Sequence, residues 1–156
     1  MLALHGYEET TIKRIAQAAG IKQTSIYRYY PNKRAVISLL ADIFINEQNK
    51  AITHCIEESL RGQPSKKILH EFNTHLRMGM HQEQWISPTQ LALRSDPHLR
   101  DRHEEVLDHF AERFSLLLSS FGVSETGEAL MRISKSLVLI YDSYMMAIGR
   151  TPFEDH

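Results

Sequence analysis

Along almost the whole of this 156-residue chain apolar residues recur at every third or fourth position, the spacing of helices that bury one face. Met1 to His5 read as opening helical turns that break at Gly6. Ile12, Ile15, Ala16 and Ala19 stand at i, i+3, i+4 and i+7 behind Thr10 or Thr11, either of which can cap a helix, and Gly20 ends it. A short segment from Gln23 or Thr24 to Tyr30 follows and is closed by Pro31. Asn32 then caps a long helix from Lys33 towards Leu60, with Val36, Leu40, Ile43 and Phe44 on one face. Residues 61–65 form a loop, and Ser65 to about Gln82 is the next helix, with Ile68, Leu69, Phe72 and Leu76 inward. Trp85 to Pro88 marks a turn and Pro88 to Arg94 a short helix. Asp96-Pro97 sets an N-cap beside a proline at the first helical position, opening a helix to Phe121. The last helix runs from about Glu125 to Ile148 and ends at Gly149. The expected fold class is all-α.

Two helices joined by a tight glycine turn near the N-terminus make a helix-turn-helix arrangement. Ile12, Ile15, Ala16, Ala19, Ile21, Ile26 and Tyr27 would hold it together. Lys22, Gln23, Thr24, Ser25, Arg28 and Tyr29 are left outward, donors and acceptors suited to base edges and phosphates. Charge sharpens this picture. Residues 1–34 hold six Lys and Arg against two acids, while the other 122 residues hold 12 against 17, under a net charge of only −1. A basic module for a polyanion is thus joined to an acidic body.

The body carries two apolar stripes. Leu107, Phe110, Phe114, Leu117 and Phe121 are spaced 3, 4, 3 and 4. Leu130, Ile133, Leu137, Ile140, Tyr144 and Ala147 are spaced 3, 4, 3, 4 and 3. Joined by a loop around Gly122 to Ser124, they predict an antiparallel helix pair. Val106, Leu118, Val138, Tyr141, Met145 and Ile148 widen the apolar area beyond one seam.

Gly6-Tyr7, Thr10-Thr11-Ile12, Ile15-Ala16, Ala18-Ala19-Gly20-Ile21, Ser25-Ile26-Tyr27, Tyr29-Tyr30 and Lys33 together resemble, without a gap, the tetracycline-repressor (TetR) family of bacterial transcription regulators. The resemblance covers about Leu2 to Leu40 by motif. It implies a helix-turn-helix DNA-binding domain over 1–32, its first helix apparently truncated, and a helical effector-binding and dimerisation domain over 33–156. It further implies that Thr11 caps the motif's first helix at a phosphate, that Gln23, Thr24, Ser25 and Arg28 read bases or phosphates, and that Tyr29 and Lys33 meet the DNA backbone. Tyr27 and Tyr30 match positions that are usually buried.

The same resemblance implies a homodimer on a pseudo-palindromic double-stranded operator, with Leu107, Phe110, Phe114, Leu117, Phe121, Leu130, Ile133, Leu137, Ile140 and Tyr144 at the interface. It implies a repressor released by a small apolar or amphipathic effector. The candidate pocket residues are Phe72, His75, Leu76, Met78, Met80, Trp85, Leu91, Phe110, Phe114, Tyr141 and Tyr144, among which His75 and Tyr141 are polar groups on apolar faces.

Other chemistries find little support. The nine histidines lack the three- or four-residue spacing of ligands on one helix, and a single cysteine, Cys55, offers no thiolate pair, so no metal and no cofactor is expected. No glycine-rich phosphate loop or nucleophile elbow points to an enzyme. The lone cysteine, the lack of a secretory signal and the lack of an apolar run of about 18 residues predict a cytoplasmic chain with no membrane partner. The competing reading is a helical protein-interaction adaptor with only weak, sequence-blind DNA binding.

Overall fold

The computed structural model describes residues 2–148, apart from the side chains of residues 3, 80, 81 and 145–148. Gly149 and the side chains of Met80, Met145, Ala147 and Ile148 lie outside the described residues. All regular structure among those described is helical: α1 (Leu2–Glu9), α2 (Ile12–Ala19), α3 (Gln23–Tyr27), α4 (Lys33–Leu60), α5 (Ser65–Gln82), α6 (Ile86–Ser95), a 3₁₀ turn (Pro97–Leu99), α7 (Arg100–Ser120) and α8 (Gly127–Ile148).

The helix ends follow from local chemistry. Thr11 Oγ1 accepts from the Arg14 N–H at 3.2 Å and Asn32 Oδ1 from the Ala35 N–H at 3.0 Å, so both cap as their side chains allow. Gly20, at φ 66°, closes α2 in the left-handed region, where a Cβ would be strained. Gly6 interrupts α1 at φ 70°. Two helices differ from the sequence reading. α6 begins two residues before Pro88, because a proline within the first turn removes only an N–H that has no intrahelical partner. The proline after Asp96 nucleates a 3₁₀ turn before α7 rather than α7 itself, and the Asp96 carboxylate accepts from the His98 N–H at 2.9 Å.

The long helices give the body its frame. Side chains link α4 to α7 at a nearly constant offset: Asp42 to Arg102, Asn49 Oδ1 to His109 Nε2 at 2.9 Å, Thr53 Oγ1 to Arg113 Nη2 at 2.6 Å, and Ser59 Oγ to the Ser120 carbonyl at 2.7 Å. A constant offset means the two helices run in the same direction and in register. α8 runs the other way along α7, since His103 lies by Asp142 while Asp108 pairs with Lys135 at 2.7 Å. Fully buried Ala111 and Ser134 let α7 and α8 approach closely, and Ser134 Oγ satisfies itself on the Leu130 carbonyl. Phe44 and Phe110 meet edge to face, their centroids 5.7 Å apart, and Phe72 meets Phe114 at 6.0 Å.

The head has its own small core. Ile12, Ala16 and Ile26 are buried together, with Ile15, Tyr30 and Val36 packed against them. Ala19, Ile21 and Tyr27, expected to join this cluster, are exposed instead. Five residues of α3 make too little helix to bury more than the Ile26 face. Leu2 and Tyr7 of α1 pack into the large body core with Ile37, so α1 lies across the head–body junction.

The expected dimer seam divides in two. Phe110, Leu117 and Leu130 are buried in the core of the single chain, and Leu107, Phe114 and Phe121 pack against that core. α8 turns Leu130, Ser134 and Val138 inward, a face four residues in period. Ile133, Leu137, Ile140 and Tyr144 are thereby left on its solvent side. The α7 half of the predicted interface is core, because the stripe facing α8 in the same chain consumes it.

Candidate nucleic-acid interface and body cavity

α3 is positioned by one anchor and one turn. Ile26 is its only buried side chain, and it sits on Ile12 and Ala16 of α2. The intervening turn is closed by the Ile21 N–H on the Ala16 carbonyl at 3.1 Å and the Ser25 N–H on the Lys22 carbonyl at 2.9 Å. With Ile26 inward, Lys22, Thr24, Ser25, Arg28 and Tyr29 face solvent, and Tyr29 is 71% exposed. Among the described residues Lys13, Lys22 and Arg28 make no ion pair, so their charges are free for an anionic partner. Gln23 is half-buried and donates to the Tyr27 hydroxyl at 3.2 Å, a bond that fixes its amide beside the same surface.

Lys33, which the resemblance sets at the DNA backbone, is engaged within the chain. Its ammonium donates to the Tyr7 carbonyl at 3.1 Å and lies 3.9 Å from the Tyr7 ring centroid, with the Glu8 carboxylate also 3.9 Å away. The physical reason is Tyr7, whose ring and carbonyl offer a partly desolvated cation site within reach of the first turn of α4. Lys33 therefore ties α1 to α4. Lys33→Ala is expected to cost about 1 to 2 kcal/mol of stability. The slope of log affinity against log salt should stay the same; a slope flattened by about one in a binding titration would return Lys33 to the phosphate contacts.

The head meets the body at Asp96, at the end of α6. Its buried carboxylate accepts from the Tyr7 hydroxyl at 2.6 Å, from Arg34 Nε at 2.7 Å and from the His98 N–H. The Tyr7 hydroxyl and then the Arg34 guanidinium hold this carboxyl far below the usual range. Burial, and then Asp96, push the Tyr7 phenol up to about 12. One side chain thus fastens α1, α4 and α6. Nothing local in the sequence announced it.

Behind α6 lies a body cavity of about 50 Å³, walled by α4, α5, α6, α7 and α8. Phe72, Trp85, Phe110, Phe114 and Tyr141 of the expected set line it. His75, Leu76, Met78, Leu91 and Tyr144 do not, and the Met80 side chain lies outside the described residues. Leu76 is buried in the core beside it, Met78 and Tyr144 are largely exposed, and His75 lines a separate hollow of about 470 Å³ between α4 and α5. The period of α5 explains this: Ile68, Phe72 and Leu76 define its inward face, and His75 and Met78 lie off it. Leu91, also named from the sequence, is exposed.

The cavity's polar lining went largely unread: Gln48, Thr89, Gln90, His103 and Asp142. A usable signal was present, since Gln48 sits at helical spacing between Phe44 and Ile52, and Gln90 between Ile86 and Leu93. Asp142 is paired with Arg94 at 3.3 Å. Burial lowers the His103 pKa against the pull of Asp142, which favours the neutral imidazole. Cys55, in the other hollow, is pushed up to about 11 by burial and then by Glu71, so it stays a thiol at neutral pH.

A short helix held outward by one buried isoleucine, beside a glycine turn and above an all-helical body, defines a helix-turn-helix DNA-binding protein. Residues 1–40 match the model of the family described as bacterial regulatory proteins, tetR family, which supports a transcription regulator with a helix-turn-helix DNA-binding head. The matched stretch ends within the first turns of α4. Comparison with curated proteins and with solved structures gave no significant match. No helix among the described residues is long and apolar enough to cross a membrane.

Proposed function

We propose that this chain is a homodimeric transcriptional repressor of the bacterial cytoplasm, gripping a pseudo-palindromic operator and released by a small effector in the body cavity. Residues 1–32 form the reading head and residues 33–156 the effector-binding and dimerising body. The observation that carries the reading is the outward row of α3, whose Lys22, Thr24, Ser25, Arg28 and Tyr29 are exposed while Ile26 anchors the helix from behind. Arg28, with Gln23, Thr24 and Ser25, discriminates bases. Lys22 and Tyr29 grip phosphate, and Thr11 caps α2 where its N-terminus meets the backbone.

The second half of the mechanism runs through α6. Ile86, Thr89, Gln90 and Leu93 face the cavity, and Asp96 closes the same helix on Tyr7 and Arg34 of the head. Gln90 and Asp96 are six residues apart, about 9 Å along the axis. A cavity of about 50 Å³ is too small for a ring-sized guest, so an effector enters only by moving α6. Moving α6 shifts the anchor of the head. Release then follows as a population shift set by the effector's different affinities for the two arrangements.

Selection from a random double-stranded DNA pool at about 150 mM salt, where weak non-specific binding is screened, tests the reading. A two-fold symmetric site is the expected product; recovery of no preferred sequence would instead favour a helical adaptor that binds protein. On the selected site, Arg28→Ala is expected to lose about 1 to 3 kcal/mol of discrimination at one base position per half-site. A uniform loss on all sequences would move Arg28 to the phosphate set.

A further inference from the structure

Two buried polar atoms at the cavity have no hydrogen-bond partner among the described residues: Gln90 Oε1 and the Tyr141 hydroxyl. Gln90 is only 9% exposed, and both residues line the cavity, Gln90 from α6 and Tyr141 from α8. An enclosed amide oxygen can only accept, and a phenol kept protonated by burial can donate. Left alone, such atoms oppose folding, because each has lost its water.

The remaining polar groups are already occupied or neutral. Thr89 Oγ1 donates to the Trp85 carbonyl at 2.7 Å, and Asp142 is offset by Arg94. His103 favours its uncharged form, and the rest of the wall is aromatic and aliphatic, with Phe44, Phe72, Trp85, Phe110 and Phe114 prominent. A charged guest would surrender its hydration and find no free counter-charge here.

We infer that the effector is an uncharged, ring-bearing molecule that carries both a hydrogen-bond donor for Gln90 Oε1 and an acceptor for the Tyr141 hydroxyl. This rests on the effector-released reading above and narrows it. Carboxylates and ammonium compounds of the same skeleton are rejected by desolvation, and hydrocarbons leave the two polar atoms unmet. The aromatic walls supply affinity, and the Gln90–Tyr141 pair supplies selection. Recognition through Gln90 also places the guest's polar end against α6, the helix that holds the head.

The experiment uses four probes on one skeleton: 2-naphthol, naphthalene, 2-naphthoate and 2-naphthylmethylammonium. Each is titrated calorimetrically into the full-length protein without DNA at pH 7.5. The expected order is 2-naphthol first, naphthalene weaker, and no measurable heat from either ion. Gln90→Leu and Tyr141→Phe should each weaken 2-naphthol about 3- to 10-fold while leaving naphthalene unchanged. In the free protein the same two variants should raise Tm, since each removes a buried polar atom without a partner. Tighter binding of either ion, absence of binding by all four, or indifference of 2-naphthol to both variants would overturn the inference. DNA release is read separately by anisotropy on the selected operator. Binding in the expected order with no release leaves the ligand class standing and removes the regulatory reading; release by an ion alone does the reverse.

Discussion

Ile140→Glu is expected to convert a particle of twice the 18.0 kDa chain mass into one of 18.0 kDa, and to weaken operator binding by at least about 100-fold. Ile140 is 67% exposed in the single chain, so a carboxylate there disturbs no contact of its own core. Ile133, Leu137, Ile140 and Tyr144 follow one another at intervals of 4, 3 and 4 on the solvent side of α8, a seam left 38–67% exposed among the described residues. A glutamate within that seam would be desolvated without a partner at every two-fold contact, which costs far more than the isoleucine's lost area. The affinity follows from valency: two linked heads bind the second half-site at a high effective concentration, which a monomer forfeits. Leu60→Glu is the control, since Leu60 is 75% exposed at the far end of α4 and should stay dimeric. Light scattering decides it. A wild-type mass of 18.0 kDa at micromolar concentration, or an Ile140→Glu protein that remains paired, removes α8 as the dimer face.

How this seam was legible, and how far, shows what one sequence can carry. In the sequence Leu130, Ile133, Leu137, Ile140 and Tyr144 read as one stripe that Val138 and Tyr141 widen; the structure divides it, with Leu130 and Val138 buried and Ile133, Leu137, Ile140 and Tyr144 exposed. Ser134 decides it in the structure: a serine looks like a solvent residue, yet its hydroxyl is satisfied on the Leu130 carbonyl. The residue is fully buried. The exposed part of the stripe is then left over.

The head was legible for the opposite reason. Its signals are local: the Thr11 and Asn32 caps, the Gly20 turn, and an apolar spacing over eight residues of α2. Local signals survive without tertiary information. The Lys33 contact was not legible because its partner, the Tyr7 carbonyl and ring, lies 26 residues away and is presented only once α1 folds back on α4. The cavity was legible only in part. Its aromatic wall could be guessed from stripes, but Gln48 and Gln90 were betrayed only by their helical spacing from Phe44, Ile52, Ile86 and Leu93, a weaker signal than an apolar side chain.

The largest effect on the coupling between cavity and head should come from Asp96, whose contacts with Tyr7 and Arg34 span 89 and 62 residues of sequence. Asp96→Ala is expected to cost about 3 kcal/mol, because it orphans a buried phenol and an arginine and removes the cap of the 3₁₀ turn. For a chain of this size that lowers Tm by about 6 to 12 °C. Asp96→Asn, which can still accept from Tyr7 and His98, should fall between the two. The pH dependence has a definite sign at both edges. The Asp96 carboxyl is depressed on folding, so its contribution is complete above the ordinary carboxylate pKa of about 4 and fades as pH falls below it. The Tyr7 phenol is raised to about 12, so its contribution is complete below about pH 10 and fades as pH rises from 10 towards 12. The Tm gap between wild type and Asp96→Ala should therefore be widest between about pH 4 and pH 10 and close on either side. The functional half separates anchoring from bulk stability. In Asp96→Ala, α6 no longer holds the head, so an effector should still bind the cavity but lose its power to release DNA, while operator affinity falls about tenfold from the freer head. Full effector-driven release in a folded Asp96→Ala protein would show that the signal reaches α3 by another route, with α4 the remaining continuous connection between cavity and head.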